Sequence, residues 1–162
     1  MDKLEKKIEE LSKELEDLKC KLGKEKSKKC KRWRADIGEE YYYIFSNGDI
    51  DYTSERDGKA SANHYDLGNY FQTKEEAEKV VEKIKIYVQL KDLALRLNKG
   101  KKIDWENDNQ VKYSIYYDNC YKKIYTTCNY SKELGQIYCL DSRFLNIAKQ
   151  EIGEEKLRKL FK

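Results

Sequence analysis

His64 is the single histidine of this chain, so a general base of the imidazole type has one candidate. The nucleophile it could activate would be a thiol: Cys120, Cys128 or Cys139. Nothing around these residues resembles a nucleophile elbow or a cysteine-hydrolase signature. Zinc sites are built on close pairs such as Cys-x2-Cys, and the cysteines at 20, 30, 120, 128 and 139 form no such pair. Asp49, Asp51, Glu55 and Asp57 could hold a divalent ion loosely. As charges on a strand edge they would equally discourage edge-to-edge pairing. Gly38, Gly48, Gly58 and Gly68 are evenly scattered and make no phosphate-cradling loop. The expectation is a protein that is not an enzyme and uses no cofactor and no metal.

Binding chemistry has more to draw on. Of the fourteen tyrosines, Tyr41, Tyr42 and Tyr43 fall in one β-prone run and Tyr116 and Tyr117 in another. Successive strand residues point to opposite faces, so aromatic rings lie on both faces and some stand outside the core. Such tyrosines suit a protein partner, can stack nucleobases, or serve as half-polar filling for a thin core. The second binding feature is charge. The net +4 divides into −3 over residues 1–18, +8 over 19–34 and −1 over 35–162. The positive charge is a collar, and Lys24, Lys26, Lys28, Lys29, Lys31, Arg32 and Arg34 are its candidates for contacting phosphates, without sequence preference and with strong salt dependence. The alternative is a solubilising tether. Lysine outnumbers arginine 28 to 6 and proline is absent, a pattern of AT-rich coding that accounts for part of the excess.

The elements that must position these groups begin with a helix over 1–23. Leu4, Ile8, Leu11, Leu15, Leu18 and Leu22 alternate spacings of four and three, with Ile8, Leu15 and Leu22 at a and Leu4, Leu11 and Leu18 at d. So narrow a stripe is a coiled-coil seam, and an isolated helix of this length is marginal without a partner. Self-association, giving a homodimer, is the expected use; the alternative is docking along its own body. A basic linker follows over 24–32.

The remainder repeats itself. Trp33, Asp36, Tyr41 and Asn47 recur as Trp105, Asp108, Tyr113 and Asn119 at an offset of 72. Tyr70 and Ile84 recur as Tyr138 and Ile152 at 68, so the second copy is four residues shorter in its middle. Two copies of one small fold sharing a core are expected, over 33–100 and 101–162. Asn47-Gly48 predicts a type I′ hairpin turn between strands 40–46 and 49–54. A polar loop from Ser54 to Leu67, a short strand Asn69 to Gln72, and a helix opened by a Thr73/Glu76 capping box and running to about Leu97 complete the first unit. Its apolar face reads Ala77, Val80, Val81, Ile84, Tyr87, Val88, Leu95. In the second, strands 111–117 and 121–127 flank Asp118-Asn119, a strand Gln136 to Cys139 follows, Asp141 caps a helix, and Gly153 breaks it. The fold class is α+β: a coiled-coil helix, then two β-β-β-α units with antiparallel sheet.

The chain has no apolar run long enough to span a membrane and no apolar stretch behind its first residues like that of a signal peptide. A cytoplasmic protein with reduced thiols is expected. The motifs Trp33-x4-Gly38-Glu39-x-Tyr41-Tyr42-Tyr43-Ile44 and Gly68-Asn69-Tyr70-Phe71-x-Thr73-x-Glu75-Glu76-Ala77-Glu78 resemble a group of small proteins of phage and prophage genomes. The likeness extends to Asp104-Trp105 and Ile152-Gly153-Glu154-Glu155, while Cys120 at a turn-glycine position departs from it. The resemblance implies an accessory gene of a mobile element in a bacterial host cell, but no activity and no site. Proteins of that setting often bind a host protein, such as a CRISPR or other defence nuclease. A nucleic-acid-binding accessory role in phage replication, packaging or transcription is the alternative. The near-neutral body argues against simple mimicry of DNA charge.

Overall fold

The computed structural model describes residues 32–161 together with Lys7, Leu11, Glu14 and Leu15, which are helical. Past residue 31 it is an α+β protein: β1 (Glu40–Ile44), β2 (Ile50–Ser54), α1 (Lys59–Asp66), α2 (Lys74–Asn98), β3 (Lys112–Asp118), β4 (Lys123–Asn129), α3 (Phe144–Glu151) and α4 (Glu154–Lys159). Strands β1 and β2 form one antiparallel sheet and β3 and β4 another. The expected third strands shrink to single bridges, Tyr42 with Phe71 and Tyr113 with Cys139.

Local chemistry explains most boundaries. In the first hairpin only Gly48 takes positive φ (+88°). Its N–H donates to the Phe45 carbonyl, and the Phe45 N–H to that of Asp49. This is the three-residue loop closed by a left-handed glycine, not the expected type I′ turn, in which Asn47 too would need positive φ. The second hairpin turns at 119–122, two residues later than expected. The Asp118 carboxylate accepts from the N–H groups of Cys120 and Tyr121, and Lys122 takes the left-handed conformation. Thr73 caps α2 by accepting from the Glu76 N–H, and Glu76 accepts from the N–H of Gln72, one residue before the partner a standard capping box would use. Left-handed Lys99 and Gly100 end that helix. Gly153 (φ +97°) separates α3 from α4. Asp141 stands ahead of α3, accepting from the Arg143 N–H in the turn that leads into it.

The expected single interior is two clusters. The larger joins Ile86, Leu90, Leu93 and Ala94 of α2 to Ile115, Ile124, Cys139, Phe144, Leu145, Ala148, Ile152 and Leu157. Full burial of Leu93, Phe144 and Leu157 contributes about 1.5–3 kcal/mol each. The smaller holds Ala35, Tyr41 and Tyr70, fringed by Trp33, Tyr43 and Tyr65. The long helix serves both ends. Its first turns, with Ala77 buried, pack near the β1–β2 hairpin, whereas Ile86, Leu90 and Leu93 turn toward the larger cluster. The apolar face read from sequence is therefore not one face: Ile84, Tyr87, Val88 and Leu95 are exposed.

The segment expected to be a polar loop contains α1. It has little apolar periodicity because it packs by ring contact. His64 stacks on Tyr43 at 4.5 Å and meets Tyr41 edge-on at 5.9 Å.

Candidate functional site

Three groups of residues singled out by their chemistry can now be placed. His64 projects from α1 with Nδ1 3.0 Å from the Tyr41 hydroxyl, which also lies 3.4 Å from Ser61 Oγ. Its ring partners are tyrosines, and no cysteine is among them. Cys120 and Cys128 are exposed on the second hairpin; Cys139 is buried, and burial pushes its thiol up. The acidic run does not converge either. Asp49 accepts from the Asn47 side-chain amide, and Asp51 from the neighbouring Tyr52 N–H. Among the described residues no group of three or more His, Cys, Asp or Glu side chains is placed to hold a metal ion.

Glu55 belongs to the fold instead. It is 2% exposed, and its carboxylate accepts from Arg34 Nε at 3.0 Å, the Tyr70 hydroxyl at 2.8 Å and the Asp57 N–H at 2.8 Å. A buried carboxylate needs such a set of donors to stay ionised. The Arg34 guanidinium, helped by the Tyr70 and Asp57 donors, outweighs burial and holds the Glu55 carboxyl down at about 2. Burial, followed by the Glu55 carboxylate, pushes Tyr70 up to about 12. Tyr70 in turn stacks on Tyr41 at 3.8 Å, meets Trp33 at 5.7 Å, and accepts the Ala35 N–H.

This changes the basic collar. Arg34 is committed to Glu55 and Asp57, so it is not a free phosphate contact. The Arg32 guanidinium lies 4.0 Å over the Tyr65 ring, and the Tyr65 hydroxyl donates to the Arg32 carbonyl at 2.9 Å. The collar is thus tied to α1 at its carboxyl end. Lys24, Lys26, Lys28, Lys29 and Lys31 lie outside the described residues. So do Leu4, Ile8, Leu18 and Leu22 of the leucine stripe; Leu11 and Leu15 are helical and exposed to 56% and 53%.

The tyrosines separate by register. Tyr41 is fully buried and unavailable to a partner. Tyr43 is half-buried beneath α1. Tyr42 is half-buried opposite Tyr52, with ring centroids 6.2 Å apart. Tyr117 is half-buried, stacked on Phe161 at 6.0 Å. Tyr116 is exposed and stacks on Tyr125, its cross-strand neighbour, at 5.6 Å. Sequence reasoning missed Tyr52, Tyr125, Tyr121 and Tyr130. Tyr121 and Tyr130 are the most exposed rings of the second hairpin, at 72% and 80%. Their signal was available: Tyr121 occupies the turn and Tyr130 the residue after the last strand position.

Together these placements make a tyrosine-bearing surface on the second hairpin. The outward face of β3–β4 carries Tyr116 and Tyr125, with Tyr121 at its tip and Tyr130 just past the end of β4. The side chains of Ser114 and Asn129 are joined below by a 2.7 Å hydrogen bond. No described helix is long and apolar enough to cross a membrane. Comparison with family models, curated proteins and solved structures gives no match to this chain.

Proposed function

We propose that this chain is a non-enzymatic binding protein of phage origin that inhibits a host factor by protein–protein contact in the bacterial cytoplasm. The first class of partner to test is a CRISPR or other defence nuclease. The observation that carries the reading is the exposure of Tyr116, Tyr121 and Tyr130 on the second hairpin, at 39%, 72% and 80%. Tyrosine gives large amphipathic contact area at low entropic cost and is enriched among residues that dominate interfaces. A stacked Tyr116–Tyr125 pair on a paired-strand scaffold is already ordered before a partner arrives. The phage setting comes from the resemblance of the Trp33–Ile44 and Gly68–Glu78 motifs.

On this reading the two halves are duplicated modules over 33–100 and 101–162. The paired contacts Trp33–Tyr70 and Trp105–Tyr138 support it. The leucine-striped helix brings two copies together, which raises apparent affinity without new contacts where geometry permits. The test is capture of bacterial nuclease complexes on immobilised protein, with a nuclease-activity readout. Wild type should retain and inhibit one such complex, and Tyr116→Ala with Tyr125→Ala should weaken retention at least tenfold. Equal retention by both proteins sinks the tyrosine face.

One observation favours a second reading. Anchoring Arg32 on Tyr65 starts the run of lysines at 24–31 from a fixed point, as a phosphate-gripping arm for nucleic acid requires. Retention on heparin that falls steeply between ~50 and ~200 mM salt, and vanishes on replacing the five lysines by glutamine, would establish it.

A further inference from the structure

The outer surface of α2 presents apolar residues that no part of the described chain covers. Ile84, Val88 and Leu95 are exposed to 53%, 48% and 60%, and Val81 is half-buried at the head of the row. Their spacings are three, four and seven, so Val81, Val88 and Leu95 occupy a positions and Ile84 a d position of a heptad. Lys91 fills the next d position. At the head of the row the hairpin tip and α2 enclose an open hollow of about 320 Å³, lined by Ile44, Phe45, Val81 and Ile84. Phe45 is itself 47% exposed.

A heptad seam takes another heptad seam, since equal 3.5-residue periods keep two helices in register. The chain holds one other such seam, the row from Leu4 to Leu22, and its two described leucines are more than half exposed. The α2 row spans ~21 Å from Val81 to Leu95 at 1.5 Å per residue, and the stripe from Leu4 to Leu22, ~27 Å as a helix, is long enough to cover it. Residues 1–18 carry −3 as a whole, and the α2 row is bordered by Lys85 and interrupted by Lys91 against Asp92. Immediately beside the leucines Glu5 and Glu14 alternate with Lys7, Lys19 and Lys21, so the match is one of apolar period and length, with only the overall charge of the segment in its favour.

We propose that the leucine-striped helix of one copy lies along the outer row of α2 in a second copy, with Ile84 and Val88 at the centre of the contact, and that the exchange is reciprocal. It rests on the reading that this helix brings two copies together, and it specifies what the helix meets: α2, not its own counterpart. A two-fold exchange uses the same pair of surfaces twice and closes on itself.

Analytical ultracentrifugation of the full chain over a thousandfold concentration range tests it. Ile84→Lys with Val88→Lys alters exposed positions only, so an unchanged circular dichroism spectrum shows that the variant folds. The expected result is a wild-type dimer whose dissociation constant rises at least tenfold in this variant and in Leu11→Lys with Leu15→Lys. An equimolar mixture of the two variants should regain part of the association, because it contains one intact helix and one intact row. A wild-type dimer unmoved by Ile84→Lys with Val88→Lys overturns the proposal while leaving self-association through paired leucine helices standing. A wild-type monomer at every concentration overturns both.

Discussion

In the first half of the molecule the face of β1 that carries Tyr41 and Tyr43 is roofed by α1, through His64 and Ser61. In the second half the corresponding face carries Lys112, Ser114 and Tyr116, and residues 130–138 above β4 contain no helix. On the proposed duplication, the bridges set the correspondence. Tyr42 meets Phe71 and Tyr113 meets Cys139, so Tyr42 and Tyr113 hold the same place and the strands are related by 71 residues, not 72. One residue matters because it exchanges the two faces of a strand. With 71, Ile44 and Ile115 both face helices, and the buried Tyr41 corresponds to the buried Lys112. Lys112 lies 5.4 Å over Trp105 and donates to the Asn107 carbonyl. The offset then falls to 68 at Tyr138, and the shortening falls where α1 stands in the first half. Without α1 the matching face is still buried at its Lys112 and Ser114 end, at 4% and 1%, and is exposed only at its hairpin end, with Tyr116 at 39% and Tyr121 at 72%. That exposed end is the feature on which the binding proposal rests.

The largest test concerns which half the long helix stabilises. Leu93 is 1% exposed and belongs to the larger cluster. Leu93→Ala removes buried methyl groups and leaves a cavity, so unfolding in urea should show a loss of about 4 kcal/mol. Fluorescence in Trp105-only and Trp33-only backgrounds should show the second half opening first. A loss under about 1 kcal/mol would mean that α2 does not bind the larger cluster as described.

Next is the node that only the first half has. Glu55→Ala strips Arg34, Tyr70 and the Asp57 N–H of one shared acceptor, and breaking a buried pair this way costs about 3 kcal/mol. Strand register gives the corresponding position: Tyr41 pairs with Thr53 and Lys112 with Asn129, so Glu55, two residues past Thr53, matches Ser131, whose carbonyl, not its side chain, accepts from the Tyr138 hydroxyl. Ser131→Ala should therefore change stability by less than about 0.5 kcal/mol. Similar losses in both variants would remove the asymmetry.

Acid sharpens the same contrast. The Glu55 carboxyl sits at about 2 in the folded chain against an ordinary 4.5. Its stabilisation is complete about one pH unit above 4.5 and is lost as pH falls through 4.5 toward 2, a contribution of about 3 kcal/mol. The second half has its own lowered carboxyl, Asp141, also at about 2, through Arg143. That guanidinium is largely exposed, so solvent screens the pair and its contribution is small. Emission from Trp33 should shift before emission from Trp105 as pH is lowered. Simultaneous shifts would mean that the halves unfold as one unit regardless of Glu55.

Local signals made much of this legible. Turn residues located both hairpins, though not their turn types, and the Thr73 cap and the break at Gly153 were read from single residues and short spacings. The contacts Trp33–Tyr70 and Trp105–Tyr138 join residues that the sequence pattern had already set in parallel. What stayed hidden depends on contacts remote in sequence. The helix α1 shows no apolar stripe, because its inner face of Ser61, His64 and Tyr65 recognises rings and a hydroxyl. Glu55 looks like a surface acid until Arg34, twenty-one residues earlier, is brought beside it. The apolar residues of α2 read as one face because their sum is broad, whereas the helix divides them between the first hairpin, the larger cluster and solvent.

The smallest expected effect is the most discriminating, because it acts on the one surface the halves treat differently. His64→Ala removes the ring that stacks on Tyr43 and the partner of the Tyr41 hydroxyl. An aromatic contact of this kind and one hydrogen bond are each worth about 1 kcal/mol. Partial repacking under α1 offsets part of that, so a net loss of about 1 kcal/mol is expected. Tyr116→Ala removes a ring of similar size from the matching face, where Tyr116 is 39% exposed and its aromatic partner among the described residues is Tyr125. Only its stacking with Tyr125 is lost, and the change should stay within about 0.5 kcal/mol. Urea unfolding of the two variants measures both. If Tyr116→Ala costs as much as His64→Ala, the second face is covered by the protein itself and cannot be the partner surface. If it costs little and yet abolishes inhibition of a captured partner, that open face serves binding and contributes little to folding.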